Sequence, residues 1–189
     1  MAARAGLDHA AVVQAAAELA DSKGLEEVSL AALAAQLGVR SPTLYHYVEG
    51  LSGLRRDLAL KGTRELARRL GRAVMGKAAG EAIFALADAY RAFAREHPGL
   101  YAATVRAAEP GDHELGAAQQ EIVEIVLRVL AAYHLQGDEA IHAVRMLRSM
   151  VHGFVTLEVA GGFGIPLDID ETFHRMIRLF IDSLEQREP

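Results

Sequence analysis

Apolar residues recur along nearly the whole chain at spacings of three and four, the repeat of a helix with one buried face, and nowhere in the strict alternation of a strand. The pattern predicts an all-α protein of about nine helices. The first spans LDHAAVVQAAAELADSK, with Val12, Val13, Ala16, Leu19 and Ala20 inward and Gly24 as its stop. Ser29 caps a short second helix that turns Leu30, Leu33, Ala34 and Leu37 inward. Gly38 follows, where a left-handed residue costs most side chains about 1–2 kcal/mol and glycine nothing. Ser41 and Pro42 read as a cap and a first-turn proline, so a third helix starts there and runs through Tyr47, held on the second by Val39 and Leu44. Two helices at a sharp turn are the form in which small proteins enter the DNA major groove; a plain helical hairpin has the same spacing.

Downstream, a fourth helix runs from residue 51 to about 75, and GKAAG at 76–80 is the linker candidate. A fifth, at 81–97, buries Ile83, Leu86, Tyr90 and Phe93, and Pro98 opens a sixth that reaches about 107. After the loop AAEPGDHE, residues 119–134 form an amphipathic helix built on Ile122, Val126, Val129, Leu130 and Tyr133. The helix at 138–160 is apolar over most of its circumference, leaving one polar strip of His142, Arg145, Ser149, His152 and Thr156, with Gly153 a flat spot. The last helix opens at the capping pair Asp168 and Glu171 and presents Phe173, Met176, Ile177, Phe180, Ile181 and Leu184. Two such apolar faces exceed what one small body covers. The expectation is a homodimer whose last two helices form a four-helix bundle, with Gly153, Phe173, Ile177, Phe180, Ile181 and Leu184 at the interface.

The stretch AAAELADSKGLEEVSLAALAAQLGVRSPTLYHYVEGLSGLRRDL resembles the DNA-binding region of TetR-type transcriptional regulators, a likeness that reaches from about residue 7 to about 66. The resemblance implies a three-helix head at 1–50 with its helix-turn-helix at 29–48, a connecting helix at 51–77, and a helical effector-binding and dimerisation domain at 78–189. It implies that Ser41, Pro42, Thr43 and Tyr45 read bases, that Arg40, His46 and Tyr47 lie at the edges toward phosphates, and that Ser29 touches the backbone. HPGLYAATVRA and MVHGFVTLEVAGGFGIPLDIDETFHRMI are similar to the C-terminal domain of a TetR subgroup named for a Trp-His-Gly signature, keeping His152 and Gly153 but no tryptophan. Such a body implies a cavity for a small effector, and Phe84, Phe93, Tyr101, Met146, Met150 and Phe154 are the candidates for its lining; for any one of them alone ordinary core packing is the simpler explanation. A lining of Phe, Met and Tyr implies a mostly apolar effector.

Charge modifies this picture. Residues 1–50 carry three basic and six acidic side chains, a net charge of minus 3, and Leu30, Glu49 and Leu51 stand where relatives place phosphate contacts. Weak nonspecific DNA binding with a shallow salt slope is expected, and a ligand-binding or interaction module with degenerate DNA binding is the alternative reading. Residues 1–77 total plus 3 and residues 78–189 minus 8. Most of the positive charge lies at Arg55, Arg56, Lys61, Arg64, Arg68, Arg69 and Arg72, expected as a solvated face paired with Asp57 and Glu65. The chain has no cysteine, which removes disulfides and thiolate zinc sites. No signal peptide or long uncharged apolar run is recognised, so a cytoplasmic protein without membrane association is expected.

Enzyme readings find little support. There is no HExxH, and His142 and His152 lie roughly 80° apart around one helix. GGFG at 161–164 follows a helix and lacks the lysine and hydroxyl of a phosphate loop, and no serine has nucleophile-elbow surroundings. The expectation is no enzyme, no metal and no cofactor.

Overall fold

The computed structural model describes residues 7–186. Among them nine α-helices follow one another with no strand: α1 (His9–Lys23), α2 (Leu30–Leu37), α3 (Ser41–Leu44), α4 (Gly50–Ala73), α5 (Ala79–Glu96), α6 (Pro98–Ala103), α7 (His113–Leu130), α8 (Gly137–Val159) and α9 (Ile169–Glu185). Short 3-10 turns occupy Leu25–Glu27 and Ala131–Tyr133. The helix at 119–134 therefore begins six residues earlier than its apolar pattern suggests, because the Asp112 carboxylate accepts the Leu115 N–H and caps a polar first turn. The sixth helix ends at Ala103 rather than near 107.

The described residues divide into two compact units whose limits are neither 50 nor 77. One runs to Arg64 and takes in Glu96–Ala117; the other comprises Glu65–Arg95 and the chain from Ala118 onward.

In the first unit, α1 is the hub, with α2, the 3-10 turn at Leu25–Glu27 and α6 against it. All five residues expected on its inner face are buried, Val12, Ala16 and Ala20 completely. Helix α6 sits on the last turn of α1 without intervening side chains: a methyl group on Gly99 would overlap the Ala20 carbonyl. Asp21 fastens the contact, one carboxylate oxygen accepting the Leu100 N–H at 2.8 Å and the other meeting His97 Nδ1 at 2.8 Å. On α4, a methyl at Gly62 would come within 2.7 Å of Thr104 Cγ2 and 2.9 Å of the Leu100 carbonyl. Two glycines thus set how closely α6 approaches its neighbours.

In the second unit, α9 packs on α8 and buries Phe173, Ile177, Phe180, Ile181 and Leu184 inside the chain's own core, Phe173 and Ile177 completely. This corrects the expectation that these five residues face a second copy. One helix of a bundle needs its whole apolar stripe to close its own core. Helix α8 likewise buries one stripe, Ala140, Ala143, Val144, Leu147, Val151, Phe154 and Val155, and leaves Met146 and Leu157 about half exposed, so it is not buried all round.

Replacing Gly99 by alanine should cost about 1–3 kcal/mol, because backbone faces the new methyl and cannot yield as a side chain would. Urea unfolding measures it. Gly116→Ala, whose methyl meets only the Ala108 methyl at 4.0 Å, should be neutral or stabilising. Equal stability of the Gly99→Ala protein would show that the contact is loose.

Candidate functional site

The turn between α2 and α3 is built from backbone bonds. Ser29 Oγ accepts the Ala32 N–H at 3.2 Å and opens α2. At the other end Gly38 is left-handed, at φ 66° and ψ 31°, and two reverse bonds close the helix: Val39 N–H to the Ala34 carbonyl at 3.0 Å and Gly38 N–H to the Ala35 carbonyl at 3.3 Å. This pair is a Schellman closure, and it aims the chain abruptly into α3. Leu33 and Ala34 are buried beneath it, while Leu30 and Leu37 are only half-buried.

Helix α3 is shorter than its sequence suggests. Arg40 rather than Ser41 is its N-cap, Ser41 and Pro42 form its first turn, and the helix ends at Leu44. His46 N–H then reaches the Thr43 carbonyl at 3.3 Å and Tyr47 N–H the Leu44 carbonyl at 2.9 Å, so the winding tightens to a three-residue turn. Leu44 and Val48 are the two buried anchors. Around them Arg40, Pro42, Tyr45 and His46 are exposed, and Ser29, Ser41, Thr43 and Tyr47 half-buried. Tyr45, 63% exposed, is a large ring held into solvent. Seven of the eight residues expected at DNA therefore lie on one short segment, 40–47, and Ser29 caps the helix before it.

The arginines of α4 are distributed differently from expectation. Arg56 binds Asp112 with two nitrogens, each at 2.7 Å, and Glu114 at 3.0 Å; Arg64 also reaches Glu114, at 2.9 Å. Arg56 holds both carboxyls below their usual range, and their hydrogen bonds raise its own pKa. Arg55 lies 3.4 Å from Glu26, and Asp57 is 2.9 Å from His9. Only Glu65 behaves as the helical spacing predicts, taking Arg68 and Arg69, whose hydrogen bonds, that of Arg68 foremost, hold its carboxyl at about 2.

Such a segment, closed at Gly38 and presenting an exposed tyrosine beside a one-turn helix, is matched by known proteins. Residues 12–47 match the bacterial regulatory proteins of the tetR family, and residues 83–180, more than half the chain, match the tetracyclin repressor-like C-terminal domain. The chain belongs to the TetR family of transcriptional regulators. It is 37% identical over 185 residues to the HTH-type transcriptional regulator YobS of Bacillus subtilis strain 168, covering 97% of this chain and 96% of that one. Its fold is similar to that of BioQ solved with its natural double-stranded DNA operator, with a TM-score of 0.72 and 22% identity over 96% of this chain and 100% of that one. It is equally similar, at a TM-score of 0.72 and 22% identity over 96% and 98%, to a single-residue variant of TetR from Acinetobacter baumannii AYE in complex with minocycline. TetR membership makes the protein a regulator rather than an enzyme. No helix among the described residues is long and apolar enough to cross a membrane.

The six side chains expected to line a TetR effector cavity differ in burial and surroundings. Tyr101 is buried in the first unit. Met146 is 47% exposed, because the helical repeat places it on the outer face of α8. Phe84 meets the ring of His174 edge-on at 6.0 Å, Met150 is half-buried, and Phe93 is fully buried with the Arg69 guanidinium 5.4 Å from its ring centre. Phe154 packs at 4.9 Å against both Phe163 and Phe173.

Beside those rings lies a polar cluster that sequence reasoning missed. Arg91 of α5 is buried, binds Glu158 of α8 through two nitrogens at 2.8 and 2.6 Å, and reaches Asp170 of α9 at 2.7 Å. Its guanidinium lies 4.8 Å from the Phe173 ring centre and 5.4 Å from that of Phe154. The signal was present: Arg91 stands one turn beyond Ala87, on the stripe that also buries Ala94, where a charge is expected only if paired.

Removing one partner of a buried pair strands the other, so Glu158→Gln should destabilise the fold by about 3 kcal/mol in urea unfolding. Asp170→Asn should cost less, since its carboxylate is mostly exposed. Its pKa is depressed, chiefly by the hydrogen bond from Arg91, so its contribution is complete above its ordinary value of 3.8 and fades as pH falls below that. The Asp170→Asn protein should therefore lose less stability than the parent on acidification below pH 4. Parallel acid limbs for the two proteins would remove this role from Asp170.

Proposed function

We propose that the protein is a homodimeric repressor that reads the two halves of a double-stranded DNA operator through residues 40–47 and is released by a small, mostly apolar effector. The observation that carries this reading is the exposed set Arg40, Pro42, Tyr45 and His46, presented by the left-handed turn at Gly38. Ser29, Ser41, Thr43 and Tyr47 complete the contact surface. The division of labour follows the family: residues 1–50 read DNA, 51–77 connect, and 78–189 dimerise and hold the effector. BioQ with its operator and the TetR variant with minocycline support the two kinds of ligand. Effector and operator oppose each other reciprocally, because each shifts the same conformational equilibrium. A DNA-bound regulator of this kind acts in the cytoplasm.

The dimer surface follows from what one chain leaves uncovered. Met146, Met150, Gly153 and Leu157 fall on one outward strip of α8, and nothing within 4 Å would meet a methyl at Gly153. Leu179, 69% exposed, stands on the outer face of α9. These side chains take the place of the buried Phe173, Ile177, Phe180, Ile181 and Leu184 in a four-helix bundle of two copies.

Selection of bound sequences from random DNA, with and without apolar effectors, tests the whole reading. A two-part site is expected, with binding weakened by an effector; no sequence preference would end the reading. Tyr45→Ala should lower specific affinity by about 1–3 kcal/mol, and unchanged operator binding would exclude Tyr45 from the contact. Leu179→Glu should give a folded monomer in sedimentation while the parent is a dimer. A parent that sediments as a monomer would overturn the dimer.

A further inference from the structure

The segment 40–47 brings one permanently charged cation of its own, the exposed Arg40. Residues 41–54 contain no arginine or lysine, and the next basic side chains along the chain are Arg55 and Arg56 of α4. Arg55 stands 3.4 Å from Glu26. Arg56 is engaged far more completely. Asp112 accepts hydrogen bonds from its Nε and from Nη2, each at 2.7 Å, and Glu114 accepts a further bond from Nη2 at 3.0 Å. Asp57 lies 3.6 Å from Nη1. Three carboxylates therefore surround one guanidinium whose side chain is still 39% exposed.

This grip has the form of a phosphate contact. The Nε and Nη2 edge of an arginine pairs with two oxygens of a carboxylate or of a phosphate in the same planar fork. The Asp112 carboxylate holds that edge as a phosphate group would. Arg56 lies six residues into α4, about 9 Å along the axis from Gly50, and Gly50 follows the segment 40–47 by three residues. The Cα–Cβ bonds of a helix tilt toward its N-terminus, so the Arg56 side chain leaves α4 leaning toward that end. Arg64, the other partner of Glu114, lies about 21 Å from Gly50 by the same rise, too far along the helix to share the role.

We propose that Arg56 is a DNA-phosphate ligand held in reserve, with Asp112 and Glu114 occupying its guanidinium in place of the DNA backbone. The two acids thereby hold down sequence-independent binding, to which neutralised phosphates contribute most, and leave a larger share of the affinity to the exposed residues of 40–47. The proposal rests on the DNA-reading role of that segment and concerns how its binding is restrained. Ion pairs this exposed contribute little to stability, so releasing the arginine does not require unfolding.

Binding of a random-sequence duplex, followed against salt concentration, tests it. Asp112→Asn with Glu114→Gln removes both charges while keeping the side-chain sizes and the oxygen that accepts the Leu115 N–H. Affinity should rise roughly tenfold at about 0.1 M salt, and the slope of log K against log salt should steepen by about one phosphate contact. Adding Arg56→Gln should cancel both gains, whereas adding Arg64→Gln should not. Arg56→Gln alone should bind like the parent. Glu121→Gln with Glu124→Gln makes the same change in net charge at exposed positions of α7 and should keep the parent's slope. Circular dichroism checks each fold, and Glu114→Gln alone, at a half-exposed side chain, should show part of the gain even where the double variant does not fold. An unchanged slope, or a gain that survives Arg56→Gln or is matched by the α7 pair, would overturn the restraint and leave operator reading intact. A parent protein that selects no operator would overturn the reading role of residues 40–47 instead.

Discussion

The seat of α6 on α1 is the contact on which the first unit, with the turn at Gly38, depends. Between Gly99 and the Ala20 carbonyl there is no room for even one methyl group, and Gly62 of α4 meets Leu100 and Thr104 almost as closely. Close-packed contacts of this kind have no slack to absorb a displacement. A shift of α6 is therefore passed to α1 and α4 rather than lost in side-chain rearrangement. Asp21 adds direction: it caps the first turn of α6 from the last turn of α1. Because α1 also carries α2, the orientation of the turn at Gly38 follows from the same seat.

Electrostatics divides the labour within that unit. Arg56 and Arg64 are spent on Asp112 and Glu114, which fasten the start of α7 to α4, and Arg55 faces Glu26. These basic side chains are engaged by carboxylates of the same chain. Fewer free cations on this helix leave less of the counterion release that basic side chains contribute to DNA affinity. The second unit uses its buried charge otherwise. Arg91 with Glu158 and Asp170, set between two phenylalanine rings, ties α5 to α8 and to the first turn of α9. A buried ion pair contributes less to stability than a hydrophobic cluster of equal size, but it tolerates only one register of the helices that supply it.

Much of this was legible in the chain. Helix number, the cap at Ser29, the left-handed Gly38, and the inner faces of α1 and α5 are local consequences of spacing and of residues with narrow conformational preferences. The exposed segment 40–47 was legible for the same reason, since a turn and its flanks are set by neighbours in sequence. Element ends were less so: α3 stops at Leu44 and α7 starts at His113 because of individual hydrogen bonds that no periodicity announces.

By itself the sequence determined the elements, the sharp turn and the chemistry displayed on it, because each depends on residues within a few positions of one another. Only the tertiary structure decided which partner each exposed or apolar group finds. It assigned the α9 stripe to the chain's own core, the α4 arginines to Asp112 and Glu114, and Arg91 to Glu158 some sixty-seven residues away. Such pairings depend on how the helices are brought together, which an apolar period restricts to one face of each helix but does not specify.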